Sequence, residues 1–537
     1  MSVRFVRFLQ IPAEANEMEK KLRIIATSDL HGKMVPWEYA LNAESPVGSM
    51  AQLATALAEY RTPDTLLVDA GDTIQENSAD LFAESDGVHP MVQALNTIGY
   101  DIWVTGNHDY DYGMDVLRKT IADIKAKTLT GNVYDEEEAP VADGWVIRKV
   151  NGVRVAVIGM VTQNVARMNA EQLKKCTVTD PLEETRKILE RIRGKYDVLL
   201  GVFHMGVSNE FEVPNSGVAD ILNACPEFDV MVASHAHTLI SSMEINGALV
   251  VENKAYAQTM SVIDLTLEKD GGGWKVTGKQ AESVNVGAFA SDAAMTKMLA
   301  PYHRTACEDA ETVIARLEGG PMAPEDETEG IPEVWVRDTA MTDLIHQVQM
   351  YYTGARVSAA IPSVPGANLY PGIIRKCDLS RIYRFDNTLY KLHMKGSQLK
   401  KYMEWAVLFF NTRRPGEAVS FNPDIQSYSY DLFEGVCYEV DISREPGSRI
   451  QNLAWPDGTP VRDEDEFDLA VCDYRAASQL LVPGVIFDDG GLPVLLEAGV
   501  HGEAGGIRGL IREYIVYVKK GVITPECNHN WKITGIG

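Results

Sequence analysis

The sequence contains no apolar run of about 18 residues, so no helical membrane span is expected. No CxxC pair occurs among its seven cysteines, which are odd in number and scattered in position. That usage fits reduced thiols in a cytoplasm better than a disulfide framework. Basic residues are scarce: 50 Lys and Arg face 76 Asp and Glu, for a formal net charge of −26. A surface of that sign repels polyanions, which argues against binding duplex nucleic acid. It leaves room for a small anionic ligand, because bound divalent cations reverse the sign locally. Residues 1–21 lack an apolar core between basic and small-residue flanks, so they do not read as a secretory signal. The expectation is a cytoplasmic protein, or an extracytoplasmic one if a leader has been removed. Internal repeats and low-complexity tracts are also missing.

What is present is enough chain for two to four domains, 537 residues of ordinary globular composition. The first half alternates apolar runs (23–28, 65–70, 101–105, 153–161, 197–203 and 229–233) with helical periodicity. Over 182–194, for example, Leu182, Thr185, Leu189 and Ile192 fall on one face. Strands alternating with helices predict a layered α/β domain whose ligands collect at the carboxyl ends of the strands. The stretch 319–330 (GGPMAPEDETEG) reads as a linker, and a helix with Met341, Leu344, Ile345, Val348 and Tyr352 on one stripe follows at 334–352. Another helix is expected at 396–410 within a separate α+β domain. The expected division is 20–318, a connecting segment at 319–352 that holds a hinge, and 353–537.

Five segments carry the chemistry, each following a strand: SDLHG, DAGDT, TGNHDYDYG, VFHMG and ASHAH. They supply Asp29 and His31, then Asp72, then Asn107, His108 and Asp111, then His204, and finally His235 and His237. An apolar strand ending in a short glycine-containing turn exposes a side chain at the rim of the sheet, and several such ends converge. Carboxylate, imidazole and amide ligands together suit Mn, Zn, Fe or Co. A carboxylate shared by two such ions holds them about 3.5–4 Å apart, a spacing suited to polarising a phosphoryl group. Any one of these motifs alone is more often a turn, a helix cap or a surface His. Five in series after strands are not explained that way. His89, His303, His346, His393 and His501 have no such setting and read as structural or surface residues, and His529 in the tail is unassigned.

These motifs resemble the calcineurin-like metallophosphoesterase superfamily, with DLH, GD, GNHD, a lone His and SHAH in the family's order. Ser234 stands where the family has Gly before His235. GNHDYDYG is further similar to the 5′-nucleotidase family, as are IYRFDNTLY (382–390), KGSQL (395–399), YDLFEGVCYEVD (430–441) and CDYRAAS (472–478). The resemblance implies a four-layer α/β sandwich followed by an α+β 5′-nucleotidase C-terminal-type domain. It implies one metal held by Asp29, His31, Asp72 and His237, and a second held by Asp72, Asn107, His204 and His235. It implies a catalytic dyad of His108 and Asp111, and it aligns Tyr430 and Tyr474 with aromatics that clamp a nucleobase, with Asn107 also facing substrate.

Two departures bear on specificity. The GGGIR segment of 5′-nucleotidases is SAAIPSVPG here (358–366), without its Arg, and Tyr474 is followed by RAASQLL rather than a Gly-rich run. The first form, together with the YRA signature, is more similar to the 2′,3′-cyclic-nucleotide 2′-phosphodiesterase/3′-nucleotidase branch. The expected function is therefore two-metal hydrolysis of nucleotide phosphoesters, opening 2′,3′-cyclic nucleotides and then dephosphorylating the 3′-nucleotides, in a cleft between domains. A 5′-nucleotidase or nucleotide-sugar hydrolase is the nearest alternative. A non-catalytic nucleotide-binding protein on the same scaffold is the alternative of another class.

Overall fold

The computed structural model describes residues 19–534 except 212, 363–365, 367, 386, 489 and 503–504. Most of the 1–21 reading, the centre of the 358–366 loop and Asp386 of the 382–390 segment therefore lie outside the described residues. The chain divides into two compact units, one running to Cys307 and the other from Glu308, with Ala40–Asn42 counted in the second.

The first unit is built on two six-stranded sheets. Its strands are β1 (Glu19–Thr27), β2 (Thr65–Asp69), β3 (Ile102–Val104), β4 (Lys127–Leu129), β5 (Trp145–Val150), β6 (Val153–Val161), β7 (Val198–His204), β8 (Val230–Ala233), β9 (Ile240–Ile245), β10 (Ala248–Glu252), β11 (Thr259–Asp270) and β12 (Gly273–Asn285). One sheet has the order β12-β11-β1-β2-β3-β4, the other β9-β10-β8-β7-β6-β5. In the first, β1 to β4 run parallel. In the second, β6, β7, β8 and β10 do. Antiparallel strands close the edges.

The period of two along each strand sorts side chains between faces, and because both faces are covered the strands read as continuous apolar runs. Ile24, Leu66, Val68 and Ile102 of one sheet meet Val155, Leu200, Val230 and Val251 of the other in a shared inner layer. Their alternates, Ile25, Leu67 and Trp103, turn outward to α1 (Met50–Tyr60) and α2 (Pro90–Ile98). On the far side Ile158, Leu199, Phe203 and Met231 pack on α4 (Pro181–Ile192) and α5 (Val218–Ala224), while the earlier α3 (Gly113–Asp123) buries Leu117 in the cluster of α1 and α2. The layers are thus helix, sheet, sheet, helix. Local signals set the helix starts: Ser49 accepts from Gln52 N at α1, and Asp180 accepts from Leu182 and Glu183 N ahead of Pro181 at α4.

The second unit is α+β. It contains β13 (Val313–Leu317), β14 (Val357–Ala360), β15 (Gly372–Arg375), β16 (Leu389–Lys395), β17 (Leu432–Glu434), β18 (Cys437–Asp441), β19 (Ile450–Ala454), β20 (Glu466–Cys472), β21 (Val494–Glu497), β22 (Val522–Ile523) and β23 (Trp531–Thr534). Its main sheet has the order β17-β14-β20-β16-β21, and two three-stranded sheets, β15-β13-β22 and β19-β18-β23, flank it. Helices α6 (Ala340–Thr353), α7 (Gly396–Ala406) and α8 (Gly506–Glu513) share one core with it. The segment expected to link the domains belongs to this core: β13 pairs with β15 and β22, and α6 buries Met341, Ile345 and Val348 beside Val357 and Leu469. The Gly, Pro and acidic residues of 319–330 form an exposed loop inside the second unit, whose compact part starts at Glu308 rather than at 319.

Candidate active site

The five motifs lie on loops at the carboxyl ends of β1, β2, β3, β7 and β8, where a doubly covered parallel sheet leaves a crevice. The turns are tight. Asp29, His31, Asp72, His235 and His237 all adopt positive φ, between 43° and 73°. Glycine is required at Gly106, where a Cβ would collide with Asp72 Oδ1 and with the His204 ring. Ser234, by contrast, is not in the left-handed region; its hydroxyl donates to Phe203 O at 3.2 Å, which is how the chain accommodates a residue other than Gly there.

Two groups of ligand-capable atoms form, Asp29 with His31 and His237, and Asp72 with His204 and His235, the atoms of each lying within 4.8 Å of one another. Asp72 lies between them: its Oδ2 is 3.2 Å from His204 Nε2 and 3.7 Å from His31 Nε2. That oxygen is buried and accepts no aligned hydrogen bond. His31 Nε2 and His237 Nε2 face each other at 3.1 Å, and Asn107 Oδ1 is 3.0 Å from His204 Nε2. Ring nitrogens, carboxylate oxygens and an amide oxygen crowd together in a buried pocket, where a positive charge between them offsets the cost of their burial. The donor set is carboxylate, imidazole and amide, so these residues fit divalent metal ions.

Neighbouring groups fix the orientation of these side chains. His204 Nδ1 donates to Ala70 O at 2.6 Å, which directs Nε2 at the cluster. Asp109, buried, accepts from Asp72 N, Thr73 N and Gly106 N at 2.8–3.0 Å and ties the second motif to the third. Burial opposes charge on Asp72, yet His204 and His108 hold its carboxyl well below the usual range. Burial likewise opposes a proton on His204, but Asp72 outweighs it and raises that imidazole to about 10. His31 goes the other way, lowered to about 4 by burial.

His108 joins neither ligand group. Its Nδ1 meets Asp111 Oδ2 at 2.8 Å, and Asp111 Oδ1 in turn accepts from Asn169 Nδ2 at 2.6 Å. Burial works against protonation of His108, while Asp72 and Asp111 raise it to about 9. Glu210 was not anticipated: its carboxylate contacts His235 Nε2 at 3.0 Å. Its only signal in the sequence is an acidic residue in the loop after the VFHMG motif.

The second unit has its own cavity of about 260 Å³, lined by Phe385, Tyr428, Tyr474, Asn387, Gln349 and Arg475 among others. Tyr428 and Tyr474 stand edge to face, centroids 6.1 Å apart, and Phe385 approaches Tyr428 at 6.3 Å. Tyr474 is where the sequence placed an aromatic contact, but Tyr430 is not. It is 1% exposed and stacks on Phe409 at 5.4 Å in the core. The single 3₁₀ turn at Ser427–Ser429 rotates the chain by about a third of a turn per residue, so positions 428 and 430 face different ways. Tyr428 takes the place expected of Tyr430. Arg475 holds it there, donating to Tyr428 O at 2.6 Å and to Asp431 Oδ2 at 2.5 Å. Beneath the rings, Gln349 Oε1 accepts from Ser358 Oγ at 2.8 Å, and its buried Nε2 has no partner.

The profile of the 5′-nucleotidase C-terminal domain matches residues 313–480, and that of the bacterial capsule synthesis protein PGA_cap matches 43–251. The trifunctional nucleotide phosphoesterase YfkN of Bacillus subtilis is 26% identical over 96% of this chain, which spans 39% of that protein's length. A YfkN crystal structure, described as a calcineurin-like phosphoesterase, covers 54% of this chain and is itself 98% covered, at 26% identity and a TM-score of 0.51. A 2′,3′-cyclic-nucleotide 2′-phosphodiesterase/3′-nucleotidase of Yersinia enterocolitica is 22% identical over 95% of this chain and 88% of its own length. The fold also matches a Staphylococcus aureus protein assigned as a 5′-nucleotidase, with a TM-score of 0.67 at 19% identity, covering 96% of this chain and all of that one. Over nearly its whole length the chain is thus similar to calcineurin-like nucleotide phosphoesterases, and residues 313–480 match the C-terminal domain of 5′-nucleotidases.

Proposed function

We propose that the protein opens 2′,3′-cyclic nucleotides to 3′-nucleotides and then removes the 3′-phosphate, using two divalent ions. The observation that carries this reading is the orphaned Asp72 Oδ2, set between His31 and His204 with His108 beside it. On this reading Asp29, His31, Asp72 and His237 hold one ion, and Asp72, Asn107, His204 and His235 the other. The ions, when bound, supply Lewis-acid polarisation of the phosphoryl oxygens. His108 presents Nε2 to the phosphoryl or leaving oxygen, because Nδ1 is committed to Asp111. Asn169 keeps Asp111 in place.

The cavity of the second unit supports a nucleotide as substrate. Tyr428 and Tyr474 offer ring faces to a base, which stacking accepts without regard to sequence. Gln349 and Asn387 add amide groups to the cavity lining. Ala359 and Ala360 line this cavity where 5′-nucleotidases carry a glycine-rich segment with Arg, which favours the cyclic-nucleotide branch over the 5′-nucleotidase branch. Initial rates on 2′,3′-cyclic AMP, 3′-AMP and 5′-AMP, each with added Mn, Zn, Co or Mg, test the assignment. The first two substrates should outpace the third; a clear preference for 5′-AMP would overturn it.

A further inference from the structure

His529, unassigned by its sequence context, lies in a third group of ligand-capable atoms, in the second unit and apart from the residues of the hydrolytic centre. Asp338, Cys527 and His529 place a carboxylate oxygen, a thiol sulfur and an imidazole nitrogen within 4.8 Å of one another. Cys527 Sγ and His529 Nδ1 are 3.3 Å apart. Tetrahedral zinc, with Zn–S near 2.3 Å and Zn–N near 2.0 Å, puts such ligand atoms about 3.5 Å apart.

Hydrogen bonding explains only part of this cluster. Asp338 Oδ2 accepts from Asn530 N at 3.2 Å and Asp343 Oδ2 from Asn528 N at 3.0 Å, which docks the tail on the start of α6. The second oxygen of Asp343 has no donor, although that side chain is 4% exposed. It belongs to a carboxylate in direct contact with Asp338. Asp343 Oδ1 is thus a buried acceptor without a donor from the surrounding chain. Glu434 adds a third carboxylate through Asn528 Nδ2 at 2.9 Å. The cations closest in sequence are engaged elsewhere, Arg337 with Glu333 and Lys532 with Glu439.

We propose that Asp338, Cys527 and His529 form a structural Zn²⁺ site, with the free oxygen of Asp343 behind Asp338, that fastens the C-terminal strand β23 to the N-terminus of α6. Softness selects the metal: thiolate with imidazole suits Zn²⁺ and Co²⁺ and disfavours Mg²⁺ and Ca²⁺. Binding displaces the Cys527 proton to solvent, so occupancy falls as pH falls. The structural role follows from the third ligand being a buried carboxylate held by the tail's own backbone.

The hydrolytic centre contains no sulfur among its candidate ligands, which separates the two sites experimentally. The metal-stripped full-length protein is titrated with Co²⁺, and the near-ultraviolet thiolate-to-cobalt band is followed in wild type, Cys527→Ser and His529→Ala. The band should appear in wild type and vanish in Cys527→Ser. Zinc content after reconstitution should drop by one equivalent per chain in both variants, with phosphoesterase rates unchanged. Absence of the band in wild type, its survival in Cys527→Ser, or equal zinc content in all three proteins would overturn the proposal. None of these readouts depends on which phosphoester the protein hydrolyses.

Discussion

Asp72 is the side chain on which both ligand groups converge, and His108 the one that joins neither. Those positions predict separable phenotypes. Asp72→Asn should lose bound metal and activity together. His108→Ala should keep its metal while kcat falls by about 10²- to 10⁴-fold. Metal analysis beside steady-state rates checks both, and loss of metal from His108→Ala would show it to be a ligand. The residues of the two clusters were legible because each follows an apolar run, in all but the His235 and His237 motif with a glycine nearby, a pattern with a backbone cause. Glu210 and Gln349 were not. Glu210 sits in an ordinary polar loop. Gln349 did leave a trace, as a polar residue beside Ile345 and Val348 on the apolar stripe of α6, and its burial to 1% exposure shows that the stripe continues through it.

At the level of elements, strand ends were easy to read and one-turn helices were not. The alternation that buries both faces of β1, β2 and β7 shows in composition alone, so the layered α/β unit followed from the sequence. The 3₁₀ turn at Ser427–Ser429 has no such signature, and it exchanged Tyr430 for Tyr428 at the cavity. The exchange has measurable consequences. Tyr428→Ala should raise KM by roughly 5- to 100-fold, the value of about 1–3 kcal/mol of lost stacking. Tyr430→Phe should leave KM alone and raise Tm, because the buried Tyr430 hydroxyl has no hydrogen-bond partner and costs about 1–3 kcal/mol. A KM effect confined to Tyr430→Phe in saturation kinetics would reverse the two roles. The loop 319–330 misled for a different reason: Gly, Pro and acidic residues mark exposed turns, and exposed turns occur within domains as well as between them.

For the molecule as a whole, the excess of 76 acidic over 50 basic residues surrounds a centre built to receive an anion. Repulsion at long range is screened by salt, with a Debye length of about 10 Å at 0.1 M. KM for nucleotides should therefore fall as salt rises to about 0.3 M, and fall more for 3′-AMP than for the less charged 2′,3′-cyclic AMP. A KM that rises with salt for both would mean that local attraction governs encounter. The five non-glycine residues in left-handed backbone at the centre, Asp29, His31, Asp72, His235 and His237, meet any substitution with a backbone demand as well as a chemical one. Each such conformation costs about 1 kcal/mol or more. Gly or Asn at those sites would relax the backbone while removing a carboxylate or imidazole, so stability and side-chain chemistry pull in opposite directions at the same five positions.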